Sequence, residues 1–343
     1  MDSRDVAGLV AAKRTILGRL RAVGGVVCFG EALIDFLNSG QQEQEGLPLN
    51  RFTQFPGGAP ANVAVAVAGL GGYAKFAGQV GDDTFGRFLL GALQHYGVDT
   101  EHTLLHPTAA TALAFVFLDP DGERHFSFRR NGTADVILQS EQVMDEWFQG
   151  CSIAHYCSNT LTDPHIARVT QDVVSRARDN NLILSFDVNL RHNLWPSGAV
   201  DADTVNELVF QSDLVKFSRE EFDYLCSGDP DDYLQACFSA GVAAVLITDG
   251  AEPVTVATPD SHVSVGPPGT QAVDTTGAGD AFIGAVLFGL SREADPAAGL
   301  RDAASLRRLV EFAGRCGALA VSRQGAFPSF PKLDEVRQWL PQR

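Results

Sequence analysis

The sequence predicts an α/β fold with a mainly parallel central sheet and a β-hairpin inserted into it. Three observations carry that reading. From Cys151 onward strand-like and helix-like runs alternate: strands at 151–157, 182–187, 213–217 and 243–248, helices near 163–179, 203–210, 219–226 and 231–240. Such spacing marks parallel strands joined by right-handed crossovers. Residues 25–34 form a largely apolar run, as a strand covered on both faces does. Residues 111–118 and 124–129 flank Asp119-Pro120-Asp121-Gly122, which reads as a hairpin around a turn.

The composition suits this picture. The 343 residues are 45% hydrophobic and 20% charged, enough for one large domain plus an accessory piece. A net charge of −16 argues against nucleic acid and against an anionic membrane surface. No run approaches the ~18 apolar residues of a membrane span. The six cysteines contain no C-x-x-C pair and read as buried free thiols in a reducing, cytoplasmic compartment. The eight histidines show no metal-ligand spacing. Residues 25–343 read as one domain with an insertion, and residues 1–24 as a short helical extension.

Taken in order, the first candidate is Asp35, at the end of the first strand, where open α/β sheets bind ligands. It either caps the next turn or grips hydroxyls. Gly57-Gly58-Ala59-Pro60-Ala61-Asn62 follows: two glycines that let a ligand approach the backbone, a proline suited to the first helical position, and a lone Asn in a buried helix. Residues 73–80 read as a strand, and Asp82-Asp83-Thr84-Phe85-Gly86 as the capped start of a helix.

The centre of the chain's chemistry is Asp274-Thr275-Thr276-Gly277-Ala278-Gly279-Asp280-Ala281-Phe282, a loop entering an apolar helix, with Thr275 or Thr276 as N-cap. A helix N-terminus opened by glycines is an anion site. Asp280 in its first turn either supports the helix dipole or takes a proton from an alcohol attacking a bound phosphate.

This nonapeptide resembles the second signature of the ribokinase-like (PfkB) sugar kinases, and Gly57-Gly58-x-x-x-Asn62-x-Ala64 resembles the first. The resemblance runs from about residue 25 to 332. It implies a three-layer ribokinase-like sandwich with a β-sheet lid formed by about 37–56 and 108–134, and an ATP-dependent kinase acting on a primary alcohol of a small sugar. It makes Asp280 the catalytic base and the Gly277-Ala278-Gly279 backbone the anion hole. Asp35, Gly57, Gly58, Asn62 and Asn189 become sugar-side residues. Phe128-Arg129-Arg130-Asn131 resembles a fructokinase stretch in which the second arginine meets the sugar, with Arg129 where tyrosine is usual.

On the nucleotide side the resemblance points to Arg191, Lys216, Ser218, Thr248, Gly250, Gly277, Gly279 and Gly314. Ser218 and Gly314 each stand where the family usually has Asn. Glu221 would order Mg²⁺ through water, and Asp274 would neighbour a monovalent cation such as K⁺. Lids in this family pair into homodimers in some members. The implied function is a fructokinase, with a 2-keto-3-deoxygluconate kinase or a catalytically idle sugar-binding relative as alternatives.

Overall fold

In the computed structural model, residues 24–118 and 124–341 are described. The helical extension expected over 1–24 and the hairpin turn 119–122 lie, but for Gly24, outside them.

The main sheet has nine strands: β1 (Gly25–Phe29), β4 (Ala74–Gly81), β5 (Thr103–His106), β8 (Cys151–Cys157), β9 (Ile183–Asp187), β10 (Leu214–Ser218), β11 (Ala244–Asp249), β12 (Glu252–Thr258) and β13 (Ser261–Val265). Their spatial order is β13-β12-β11-β10-β9-β8-β1-β4-β5. All neighbours from β5 to β11 pair in parallel, while β12 and β13 turn back antiparallel at one edge.

Strand alternation supplies both faces of this sheet. Val26, Cys28, Phe76, Leu214 and Leu246 point to one side, into a core shared with helices α1 (Ala59–Gly69), α2 (Thr84–His95), α7 (Ala278–Ser291), α8 (Pro296–Arg301) and α9 (Ala303–Val321). Val27, Phe29, Tyr156, Phe186, Val215 and Ile247 point to the other. There they meet α3 (Pro164–Asp179), α4 (Ala202–Val209), α5 (Arg219–Leu225) and α6 (Pro230–Ala240). The result is the expected three layers.

Helix α7 is buried from Ala281 to Ser291. A helix apolar all round has no solvent face and sits inside a core. It lies between α1 and α9, close enough that Gly284 abuts Ala66.

The second sheet has four strands in the order β3-β2-β6-β7, with β2 spanning Leu33–Gln44, β3 Leu47–Gly57, β6 Leu113–Leu118 and β7 Arg124–Arg129. Here the sequence reading needs a correction. Residues 25–34 are not one strand. β1 ends at Phe29, the chain bends through Gly30 to Ala32, and β2 starts the small sheet. Asp35 therefore belongs to the small sheet, paired with Phe55 of β3 and Ala114 of β6. An apolar run records burial, and burial continues across the break, so the change of sheet left no trace in the pattern.

Asp83 caps α2 as expected, its carboxylate accepting from the Phe85 and Gly86 amides. All six cysteines are free thiols. No helix among the described residues is long and apolar enough to cross a membrane.

Candidate active site

The carboxyl ends of β9 and β10, the N-termini of α1 and α7 and the inner face of the small sheet converge on one cleft. α1 starts at Ala59, whose amide donates to Glu31 Oε1 at 3.2 Å. One turn further, Asn62 Nδ2 donates to Asp280 Oδ2 at 2.7 Å. The two signature-like motifs, 218 positions apart, are thus joined by one hydrogen bond. Asn62 Oδ1 is buried and unpaired.

Asp280 stands in the first turn of α7, partly covered. Its N-cap is Gly277, with φ 74°, rather than Thr275 or Thr276. The reason is Asp274: its Oδ1 accepts the Thr276 amide at 2.8 Å, so the aspartate, not a threonine hydroxyl, closes the turn. Asp274 Oδ2 accepts the Gly325 amide at 3.0 Å, tying the loop to the 323–327 segment.

Beneath α7, Lys216 and Asp187 face each other in the β9/β10 register, both buried, with Lys216 Nζ 2.9 and 3.2 Å from the two carboxylate oxygens. Lys216 Nζ would lie 3.0 Å from a Cβ on Gly279, so the ammonium sits against the first turn of α7. Burial pushes the Asp280 carboxyl up to about 7; the Asp187 charge adds to this, while the Asn62 hydrogen bond, Lys216 and Arg191 oppose it. Asp35 is also pushed up to about 7, by burial first and then by the Asp280 charge, against Arg191. Two carboxyls in one cleft hold their protons harder than either would alone.

Gly57 is required by Asp35. A Cβ at Gly57 would come 2.1 Å from Asp35 Oδ2, so any side chain there evicts the carboxylate. Gly58 turns the chain into α1 with φ 103°. Arg130 is buried and committed: Nε meets Asp135 Oδ2 at 2.5 Å, Nη1 donates to the Asn159 carbonyl at 2.7 Å, and Nη2 lies 4.0 Å from Glu31. Only Nη2 is left without a hydrogen-bond partner. Asn159 Nδ2 in turn donates to Glu31 Oε1 at 2.9 Å. Glu31, Asp135 and Asn159 were missed from sequence. An acid inside the apolar run 25–34 was the available signal for Glu31. Arg129 is exposed and folds back onto Ser127 and the Phe128 carbonyl.

The remaining predicted residues lie at or just beyond the carboxyl ends of β9, β10 and β11, at the start of α5 and on α9. Asn189 is buried with φ 39°, an uncommon backbone state for a residue other than glycine. Arg191 is exposed and donates to the Leu190 carbonyl, yet its charge is felt by both Asp35 and Asp280. Ser218 and Glu221 form a capping box at the start of α5. Glu221 Oε2 accepts the Ser218 amide and Oε1 the Leu190 amide, at 2.7 and 2.9 Å. Thr248, at the end of β11, donates to the Phe217 carbonyl, and Gly250 makes the exposed turn after it with φ 55°. Gly314 lies on α9 facing Pro267 and Pro268.

A carboxyl titrating near neutrality, oriented by an amide and placed at a helix N-terminus, can take a proton from a hydroxyl as that hydroxyl attacks an anion bound at the terminus. Cleft, α/β scaffold and raised carboxyl together suit a phosphotransferase with an alcohol acceptor. Comparison with known proteins agrees. The model for pfkB family carbohydrate kinase matches residues 24–333, and the chain belongs to that family; it is a carbohydrate kinase. Fructokinase-1 of Zea mays is 39% identical over 320 residues, covering 92% of this chain and 97% of the relative. The crystal structure of fructokinase with bound ATP from Xylella fastidiosa has a TM-score of 0.85 at 42% identity, covering 92% and 97% of the two chains. A fructokinase double mutant from Vibrio cholerae O395, in its fructose, ADP and potassium ion bound form, has a TM-score of 0.83 at 35% identity, covering 93% and 99%.

Proposed function

We propose that this protein is an ATP-dependent fructokinase, with Asp280 as general base. The observation that carries the reading is the Asn62–Asp280 hydrogen bond. It unites the sugar-side helix and the phosphate-side helix at the atom that must accept the proton. The similarity to fructokinases over nine-tenths of the chain supports the choice of sugar.

Fructose lies on the floor made by Gly57, Gly58 and Asn62, with Asp35 accepting from its hydroxyls. Arg130 Nη2 and Asn62 Oδ1, both buried and unpaired, are satisfied by further hydroxyls of the sugar, because buried polar groups seek partners. The γ-phosphoryl group sits on the backbone of Gly277, Ala278 and Gly279, with Lys216 beneath them. Arg191, Ser218, Thr248, Gly250 and Gly314 line the way toward the rest of the nucleotide, and Asn189 shapes the cleft between sugar and phosphates. The sugar hydroxyl attacks phosphorus, its proton passes to Asp280, and ADP and a fructose monophosphate leave. The small sheet serves as a lid that keeps water out.

A Mg²⁺ ion carried by ATP neutralises phosphate charge when bound. Glu221 suits a role through water, since each of its oxygens keeps acceptor capacity after taking one backbone amide. Asp274 and the 323–325 loop are the group we assign to K⁺. The cytoplasm, where ATP is present and free thiols persist, is the compartment we assign.

Arg129 speaks against the 2-keto-3-deoxygluconate alternative: a second cation would suit a carboxylate, but this one is exposed and turned back on its own strand. Initial rates of ADP release with fructose, glucose, ribose and 2-keto-3-deoxygluconate, each with and without Mg²⁺ and K⁺, test the proposal. Fructose should give the highest kcat/KM. A higher value for 2-keto-3-deoxygluconate would overturn the substrate assignment, and no sugar-dependent release at all would overturn the kinase assignment.

A further inference from the structure

We infer that Phe55 is a positioning residue that couples phosphoryl transfer to sugar occupancy, by joining the small sheet to the loop that shapes the phosphate end of the site. The inference rests on the fructokinase reading above. Phe55 stands directly opposite Asp35 in the β2/β3 register. Directly opposed residues of an antiparallel pair share a face, so the ring and the carboxylate both leave the small sheet on its inner side. They line one cleft with Asp274, Thr276, Gly325 and Ala326 of the body.

The contact between ring and body is close. A Cβ on Gly325 would lie 2.9 Å from Phe55 Cδ1, and Gly325 has φ 79°, so both the ring and the backbone demand glycine there. Gly325 donates its amide to Asp274 Oδ2, and Asp274 Oδ1 holds the amide of Thr276, the residue before the α7 N-cap Gly277. A continuous run of contacts therefore leads from the neighbour of Asp35 to the start of α7: Phe55, Gly325, Asp274, Thr276. The three body positions are joined by amide-to-carboxylate hydrogen bonds, and Phe55 is the member of this run that the small sheet supplies.

The chemical consequence concerns water. In the side reaction a water oxygen bonds to the γ-phosphorus and the bond to the β,γ-bridging oxygen breaks. ADP and inorganic phosphate are released, and the water's proton goes to Asp280 and then to solvent. A ring seated on Gly325 closes the cleft beside the anion loop and holds that loop in place. Phe55 and Asp35 are paired across β2/β3, so the residue that meets the sugar and the ring that closes the loop belong to one unit.

The test is the ratio of ADP to sugar phosphate, both measured in one reaction, for wild type, Phe55→Ala and Phe55→Leu. Wild type should form one ADP per sugar phosphate. Phe55→Ala should form several-fold excess ADP with matching inorganic phosphate, while kcat for sugar phosphate falls about tenfold, a modest loss for a loosened phosphate site. Phe55→Leu, which refills the gap, should restore most of the coupling. A ring that only stabilises the fold would lower the melting temperature without moving the ratio, and a ratio of one in a folded Phe55→Ala protein overturns the inference. Should Phe55→Ala fail to fold, Gly325→Ala drives a methyl group into the ring from the other side. It should give the same excess ADP, and a ratio of one there also overturns the inference. The kinase reading fails separately, if wild type makes no phosphate ester from any sugar.

Discussion

Replacing Asp280 by Asn should cut turnover steeply and at the same time stabilise the protein. Asn keeps the shape and still accepts from Asn62 Nδ2, but it carries no charge and takes no proton. Turnover should fall by about 10²–10⁴, the usual scale for losing a general base. The stability gain follows from linkage. The folded-state carboxyl is raised from 3.8 to about 7. Between those pH values the folded chain binds a proton that the unfolded chain has lost, so stability falls as pH rises through the window. The cost is absent below about pH 4 and complete above about pH 7. At about 1.4 kcal/mol per pH unit the full shift is worth roughly 4 kcal/mol. Asp280 is partly open to the cleft, where solvent screens it, so about half of that, roughly 2 kcal/mol, is expected. With about 2.1 cal/mol/K of unfolding entropy for each of the 343 residues, the melting temperature should rise by about 3 °C. Differential scanning calorimetry at pH 8 and pH 5 is the assay: a gain at pH 8 that shrinks at pH 5. Equal melting temperatures at pH 8 would show that the carboxylate is not held against its preference, and near wild-type turnover would remove it from the base role.

Two further outcomes follow from the same geometry. Since Asp280 must be charged to accept a proton and is held at about 7 in the free enzyme, kcat/KM should climb as pH rises through 7 and level off above it; a profile flat from pH 6 to 8 would contradict this. Gly57→Ala should displace the Asp35 carboxylate, whose Oδ2 would lie 2.1 Å from the new Cβ, raising the fructose KM at least about tenfold and leaving the ATP KM near wild type. An equal rise in both constants in initial-rate measurements would mean the strain is not confined to the sugar side.

The sequence disclosed what local periodicity and motif spacing can disclose. The strand–helix alternation after Cys151 was readable because each crossover repeats a recognisable apolar period, and the main elements match within a residue or two. The antiparallel edge β12–β13 was not read, because its strands are half exposed and carry no crossover helix to punctuate them. Gly30 showed nothing of the point where the chain leaves one sheet for another, since both sides of the break are buried. The α7 cap went to Gly277 because a carboxylate two residues upstream of Thr276 competed successfully for the turn amide. The Glu31–Arg130–Asn159 cluster spans well over a hundred positions, and no spacing rule reaches that far.

The charge pattern explains how an acidic chain holds a nucleotide. With a net charge of −16, long-range attraction for ATP is absent, so the site must act at short range. Yet its two buried cations are spoken for: Lys216 is paired with Asp187, and Arg130 with Asp135, while Arg191 lies exposed. Asp35 and Asp280 lie in the same cleft with raised pKa values. Such a site gains little from cations acting alone. In the proposed function it relies instead on the amides at the head of α7 and on a metal ion arriving with the nucleotide, both of which act only at contact distance. Paired cations keep a second property. They offset the acids that surround the base without neutralising the base itself, so Asp280 stays near the pH at which it must both accept and release a proton. An unpaired Lys216 would bind phosphate more tightly but would pull the Asp280 carboxyl down and weaken it as a base. In the proposed function the Lys216–Asp187 pair therefore tunes the base, Asp187 raising the Asp280 carboxyl and Lys216 lowering it, with phosphate affinity left to backbone and metal.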